Sequence, residues 1–179
     1  MNRRTFLLSA LAASASGCAA LDDYVANLPA RHPDAPAIMS PDFMVDAMLN
    51  LAEVRAGDML YDLGCGDGRI VIAAAQRGAR GVGVDIDPRQ IRLATAAAAA
   101  ARVADRVKFI MTDLFTMDLR DATVVSLYLG EEVNIKLMPR LKAQLKPGTR
   151  VVSHEFGMGM WEPETRLAVG GRYLYRWII

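Results

Sequence analysis

From residue 59 to residue 154, short apolar runs alternate with longer stretches in which apolar positions recur every three or four residues. The short runs are Met59 to Leu63, Gly81 to Val84, Val107 to Met111, Thr123 to Tyr128 and Arg150 to His154. They read as buried strands of a mainly parallel sheet, because helical stretches separate them. Ser40-Pro41-Asp42 predicts a helix start with Ser40 as N-cap, followed by a stripe of Met44, Met48, Leu49 and Leu51 that runs to about Val54. Further helices are predicted from about Asp67 to Gly78 and from Pro88 through Ala104, the latter containing the alanine run 96–101. Between the last two parallel strands the pattern predicts short helices broken at Pro139 and ended by Pro147-Gly148. The ending differs: Thr165 to Val169 and Arg172 to Ile179 flank Gly170-Gly171 and read as an antiparallel hairpin. The expected fold is α/β, a three-layer sandwich around a mostly parallel seven-stranded sheet that finishes in this hairpin.

The first 39 residues follow another pattern. MNRRTFLLSALAASASGC starts with Arg3 and Arg4, continues with an apolar stretch, and reaches small residues before Cys18. It reads as an export leader of twin-arginine type with a lipoprotein-like processing box over residues 1–18. Residues 19–39 read as a tether and 40–179 as the folded domain. This predicts a membrane-attached protein on the extracytoplasmic face, held through lipidated Cys18; a cytoplasmic domain is the alternative.

Composition narrows the partners. Of 179 residues, 53% are hydrophobic, and 21 basic against 20 acidic residues leave a net charge of +1, so no nucleic-acid footprint is expected. Only two cysteines occur, and the second, Cys65, lies in a glycine turn, which argues no disulfide framework and no metal site.

That turn, YDLGCGDGRIVIAAA at 61–75, carries the chemistry. A strand that ends in glycines and opens a helix invites a nucleotide-like ligand. Gly64, Gly66 and Gly68 are spaced G-x-G-x-G, however, and Arg69 stands where the dinucleotide fingerprint has its third glycine. Asp62 and Asp67 would repel a pyrophosphate at short range. They suit S-adenosylmethionine, which has no phosphate and carries an ammonium and a sulfonium. Asp62 then holds the ammonium, and the glycines let the backbone approach the methionyl part. Asp67 is equally a helix N-cap or first-turn acid. Asp85, after the next strand, matches a ribose diol with its two acceptor oxygens. Asp113 closes the third strand and can accept from the adenine amino group, with Ile86 and Leu114 on the ring faces. A nicotinamide enzyme is a remote reading, opposed by Arg69 and the acidic turn.

DLGCGDG, VGVDID and TDLF, in this order, resemble the motifs of class I S-adenosylmethionine-dependent methyltransferases, a resemblance covering about residues 40–179. It implies the Rossmann-like version of the sandwich. SPDFMVDAMLNLAEVRAGDMLYDLGCGDGRIVIAAA, ATVVSLYLGEEVN and LKPGTRVVSHEFGMGMWEP are similar to a narrower family, that of the mitochondrial lysine methyltransferases of the ATP synthase c subunit and the adenine nucleotide translocase, and bacterial relatives. This implies N-methylation of a protein lysine, with a membrane-embedded protein as the expected substrate. A monomer is expected. The family's pre-domain segment commonly reads Tyr-Val-Pro-Thr-Pro; here it is Ala37-Ile38-Met39-Ser40-Pro41, without the substrate-facing tyrosine.

On the acceptor side, Tyr128 is the candidate to orient the amine, by its oxygen or its ring face, and is equally readable as a core tyrosine. His154 is the candidate proton acceptor, against a structural histidine at a strand end. Glu131 faces the substrate or starts a helix. Trp161 lines an acceptor channel or locks the hairpin, and Met158 with Met160 would form an apolar lip. Two other readings stand beside the lysine enzyme: an exported binding module without turnover, and a small-molecule methyltransferase.

Overall fold

A computed structural model describes residues 39–179. The leader, Cys18 and nearly all of the tether lie outside the described residues. The elements are α1 (Asp42–Leu51), β1 (Met59–Leu63), α2 (Arg69–Gln76), β2 (Arg80–Asp85), α3 (Pro88–Ala100), β3 (Val107–Met111), β4 (Val124–Leu127), α4 (Glu131–Gln144), β5 (Arg150–His154), β6 (Thr165–Val169) and β7 (Arg172–Ile178). All seven strands form one sheet in the order β3-β2-β1-β4-β5-β7-β6. The first five are parallel, and β7 pairs antiparallel with both β5 and β6. This is the expected Rossmann-like sandwich. The strand order turns back between β1 and β4, which opens a crevice at their carboxyl ends.

Strand alternation divides the core. Leu60, Val124, Val152 and Leu174 face α1 and α2, where Met44, Met48, Val71 and Ala74 are buried. Leu63, Val125, Leu127 and Val151 face the other way, onto Leu137 and Leu141 of α4 and onto Trp177. Each side chain at a strand end therefore inherits a face, and the face decides which one meets the crevice. At the opposite edge, buried Asp58 pairs with Arg150 and accepts from Thr123 Oγ1 at 2.8 Å and from the Arg55 amide at 2.9 Å. Burial raises its pKa, but these donors outweigh burial and hold it below the usual carboxylate range.

Three local expectations are corrected. The first helix is capped by Pro41 and ends at Leu51, and Ser40 makes no side-chain cap bond; its hydroxyl is engaged 114 residues away. The second begins at Arg69 with Gly68 as N-cap at φ 78°, so Asp67 precedes the helix and does not cap it. Pro139 lies inside one continuous helix instead of breaking it. Val133, Leu137 and Leu141 anchor both sides of the proline to the sheet, whereas Ile135, whose carbonyl loses its partner, is exposed. Packing overrides the missing bond. No described helix is long and apolar enough to cross a membrane.

Candidate active site

The glycine turn after β1 is tied to β2, because the amides of Gly64 and Cys65 both donate to the Val84 carbonyl, at 2.8 and 2.9 Å. Gly64, Gly66 and Gly68 all have positive φ. A Cβ at Gly64 would lie 2.5 Å from Leu129 Cδ2 and one at Gly68 2.7 Å from the Phe109 ring, while one at Gly66 would meet nothing within 4 Å. The outer glycines are thus fixed by protein contacts, and the middle one faces open space where a ligand can approach.

Asp62 is buried and accepts from Ser126 Oγ at 2.7 Å, its neighbour across the β1–β4 register. Burial pushes its pKa up to about 7; the Ser126 bond opposes this, and the charges of Asp85 and Asp67 add to it. A neighbouring cation would favour its ionised form. Half-buried Asp85 braces the turn: Oδ2 accepts from the Gly66 amide and Oδ1 from the Asp87 amide, each at 2.9 Å. Each oxygen retains a lone pair. Asp113 Oδ1 accepts from the Phe115 amide at 2.9 Å, which sets the bend after β3. Ile86 and Leu114 are half-buried at the same edge. Carboxylates at the carboxyl ends of β1 and β2 and just after β3 form an acidic rim that fits a cationic nucleoside and disfavours a phosphate.

Asp67 is differently employed. Its Oδ2 pairs with Arg69 Nη2 at 2.7 Å and its Oδ1 accepts from Nε at 3.0 Å, and these bonds outweigh burial in holding its pKa down. Its charge is therefore already neutralised inside the protein.

The acceptor-side candidates come together in part. Tyr128 and His154 lie on the face of the sheet that carries Asp62, with ring centroids 4.0 Å apart and planes tilted by 32°. Tyr128 OH accepts from Arg172 Nη1 at 3.0 Å, and Arg172 also pairs with Glu155 at 3.5 Å. His154 is fully buried; its Nδ1 meets Ser40 Oγ at 2.9 Å, and its Nε2 has no partner among the described residues. Burial and, after it, the Arg172 charge lower its pKa to about 4, so it is neutral at physiological pH. Glu155 next to it has φ 68°, a left-handed conformation uncommon for a residue with a side chain. Glu131 is exposed at the start of α4.

Trp161 is placed elsewhere. It packs on Trp177 at 5.8 Å, accepts through its carbonyl from Trp177 Nε1 at 2.7 Å, and lies under Lys142, on the face opposite His154. Its placement suits the hairpin lock and not a channel beside Tyr128. Met158 is buried in the same layer while Met160 is almost wholly exposed, so the two form no common lip.

Sequence reasoning missed Asn134, Ser126 and Arg172. Asn134 is buried and donates to Ser153 Oγ at 3.1 Å and to the Phe156 and Gly157 carbonyls at 3.2 Å, fixing the loop after β5. A polar residue on the stripe of Val133, Leu137 and Leu141 was the available signal.

The chain is similar to known proteins over this region. The ANTKMT methyltransferase domain family matches residues 62–165. A protein-lysine N-methyltransferase of Saccharolobus islandicus is 42% identical over 139 residues, covering 76% of this chain and 86% of that protein. The adenine nucleotide translocase lysine N-methyltransferase of Mus musculus is 40% identical over 120 residues, and the chain spans about half of its length (52%). A crystal structure described as an RNA methyltransferase from Salinibacter ruber, in complex with S-adenosyl-L-homocysteine, is 53% identical, with a TM-score of 0.78 over 79% of this chain and 94% of that one. With the acidic rim and glycine turn inside the matched region, the chain belongs to the ANTKMT methyltransferase domain family, and it is an S-adenosylmethionine-dependent methyltransferase.

Proposed function

We propose that the chain methylates lysine side chains of proteins. In this reading Asp62 holds the cofactor ammonium, Asp85 the ribose hydroxyls and Asp113 the adenine amino group between Ile86 and Leu114, while Gly66, the glycine of the turn that faces open space, leaves room for the methionyl backbone, and Gly64 and Gly68 let the turn pack on Leu129 and Phe109. When bound, S-adenosylmethionine supplies a methyl carbon activated by its sulfonium. The remaining task is to present a neutral, oriented amine.

The observation that carries the proposal is the Tyr128–His154 pair. His154 stays neutral, and its Nε2, buried and without a partner among the described residues, is the acceptor left for an amine N–H once a lysine has entered beside Tyr128. Tyr128 offers a ring face to the lysine stem. The Arg172 guanidinium on its hydroxyl disfavours a second cation nearby, which lowers the pKa of an incoming ammonium. The lysine specificity of the relatives from Saccharolobus islandicus and Mus musculus supports the same class of acceptor. Glu131 and Glu132, exposed on the first turn of α4, would attract a lysine-bearing segment before it docks.

The test is methyl transfer from labelled S-adenosylmethionine to membrane extract, soluble protein and total RNA, followed by hydrolysis and amino-acid analysis. Label recovered as methyl-lysine is the expected result. Label in RNA alone, the substrate class described for the Salinibacter ruber relative, overturns it.

The placement proposed from the leader is the extracytoplasmic side of a membrane, with Cys18 as the anchor. Fractionation of cells producing the full chain is expected to find it in membranes and to lose it from them with Cys18→Ala. Soluble cytoplasmic protein that retains residue 1 overturns this placement.

A further inference from the structure

Ser40 and Arg69 have no role in the reading above, yet together they join the cofactor turn to the acceptor side. Ser40 is buried just before α1, and its hydroxyl has one hydrogen-bond partner among the described residues, His154 Nδ1 at 2.9 Å. Its carbonyl accepts from Arg69 Nη1 at 2.8 Å. The same guanidinium grips Asp67 of the glycine turn through Nε and Nη2. Asp42, 3.9 Å from Nη1, is almost fully exposed and adds little. The planar guanidinium holds the carboxylate through Nε and Nη2 while Nη1 reaches the carbonyl, a fork that a lysine, with its three donors on one nitrogen, does not reproduce.

We propose that Arg69 and Ser40 are positioning residues: Arg69 clasps the segment 39–41 onto the glycine turn, and Ser40 thereby covers His154 and fixes its ring. The bridge is short and its members come from three separate parts of the chain, the segment before α1, the turn after β1 and the end of β5. Removing the clasp uncovers His154, whose other close neighbours are Tyr128 at the end of β4 and, as the charged group facing it, Arg172 on β7. The cost then falls on the acceptor half of the reaction. Cofactor contacts of Asp62 and Asp85 do not pass through the clasp, so cofactor affinity is spared.

This inference rests on the proposed acceptor side, and its test separates the two. The full chain and the variants Arg69→Ala, Arg69→Lys and Ser40→Ala are titrated by NMR, with the His154 resonances assigned against those of His32 through His154→Gln. In the wild type His154 is expected to titrate near 4. In all three variants its midpoint is expected to rise towards the unperturbed value of about 6.5, while S-adenosylhomocysteine affinity by calorimetry stays within about threefold. With a lysine acceptor in hand, kcat/KM falls about tenfold, less than the hundredfold that an ångström of misplacement can cost. Arg69→Lys keeps a charge beside Asp67, so a folded Arg69→Lys protein that behaves like wild type in His154 midpoint overturns the proposal. So does a loss confined to cofactor affinity. A raised midpoint in a protein that methylates no lysine leaves the clasp standing and removes the lysine reading.

Discussion

Replacing Asp85 with alanine is expected to weaken S-adenosylhomocysteine binding by roughly a hundredfold, because two charge-assisted hydrogen bonds at about 1.5 kcal/mol or more each are lost. The geometry gives this residue a double duty. Its two oxygens already receive the amides of Gly66 and Asp87 at 2.9 Å, so the carboxylate is held in one orientation before any ligand arrives. The second lone pair of each oxygen remains for a ribose diol, and no side-chain entropy is spent on aligning it. Asparagine keeps one acceptor oxygen but places an amide donor where the other amide proton and hydroxyl must sit, so Asp85→Asn falls between wild type and alanine. Isothermal calorimetry on the full chain reads both. Affinity within threefold of wild type in Asp85→Ala, with the fold intact by circular dichroism, would remove the ribose from this residue.

The glycine turn and the acidic rim were legible because their signals are local. Alternate glycines just past a strand permit the positive φ that a tight turn needs, and an acid at the end of an apolar strand arrives at the carboxyl edge of a parallel sheet. Asp62, Asp85 and Asp113 follow from that arithmetic alone. Arg69 illustrates the limit. The sequence showed it only as a glycine that was missing, and its function as a bridge depends on Ser40, 29 residues earlier, reaching the same turn.

Long-range pairing decided the acceptor half. Ser40 has the appearance of a helix cap, since a serine before Pro-Asp at a helix start usually is one; its hydroxyl instead meets a histidine on β5, because α1 lies across the sheet face that β5 shares. Trp161 offered two roles, and the β7 register settled them by bringing Trp177, paired with Val151, onto the layer away from Tyr128. Pro139 misled for a related reason. Local propensity favoured a break, and apolar anchors on either side made the continuous helix the better packed state.

Asp62 yields the second large effect, read through pH. In the ligand-free protein its pKa stands at about 7 against an ordinary 3.8, so between these values the folded state binds a proton that the unfolded chain has released. Folded-state stability therefore declines as pH rises from about 4 to 7, the reverse of the usual behaviour of a paired carboxylate. Cofactor binding carries the opposite sign. An ammonium beside Asp62 favours its ionised form, so binding must expel that proton at acid pH, and affinity for S-adenosylmethionine is expected to fall by up to tenfold per unit below pH 7, about a hundredfold between pH 7 and pH 5. The window closes above pH 7, where the ligand's own α-amino group begins to deprotonate near pH 8. Calorimetry in buffers of different ionisation enthalpy should accordingly detect close to one proton released at pH 5.5. Asp62→Asn, which keeps the shape and the Ser126 contact but has no proton to lose, should bind weakly with no release and a flat profile between pH 5 and 7. Equal slopes in the two proteins would place the titrating group elsewhere in the acidic rim and leave Asp62 as a structural partner of Ser126.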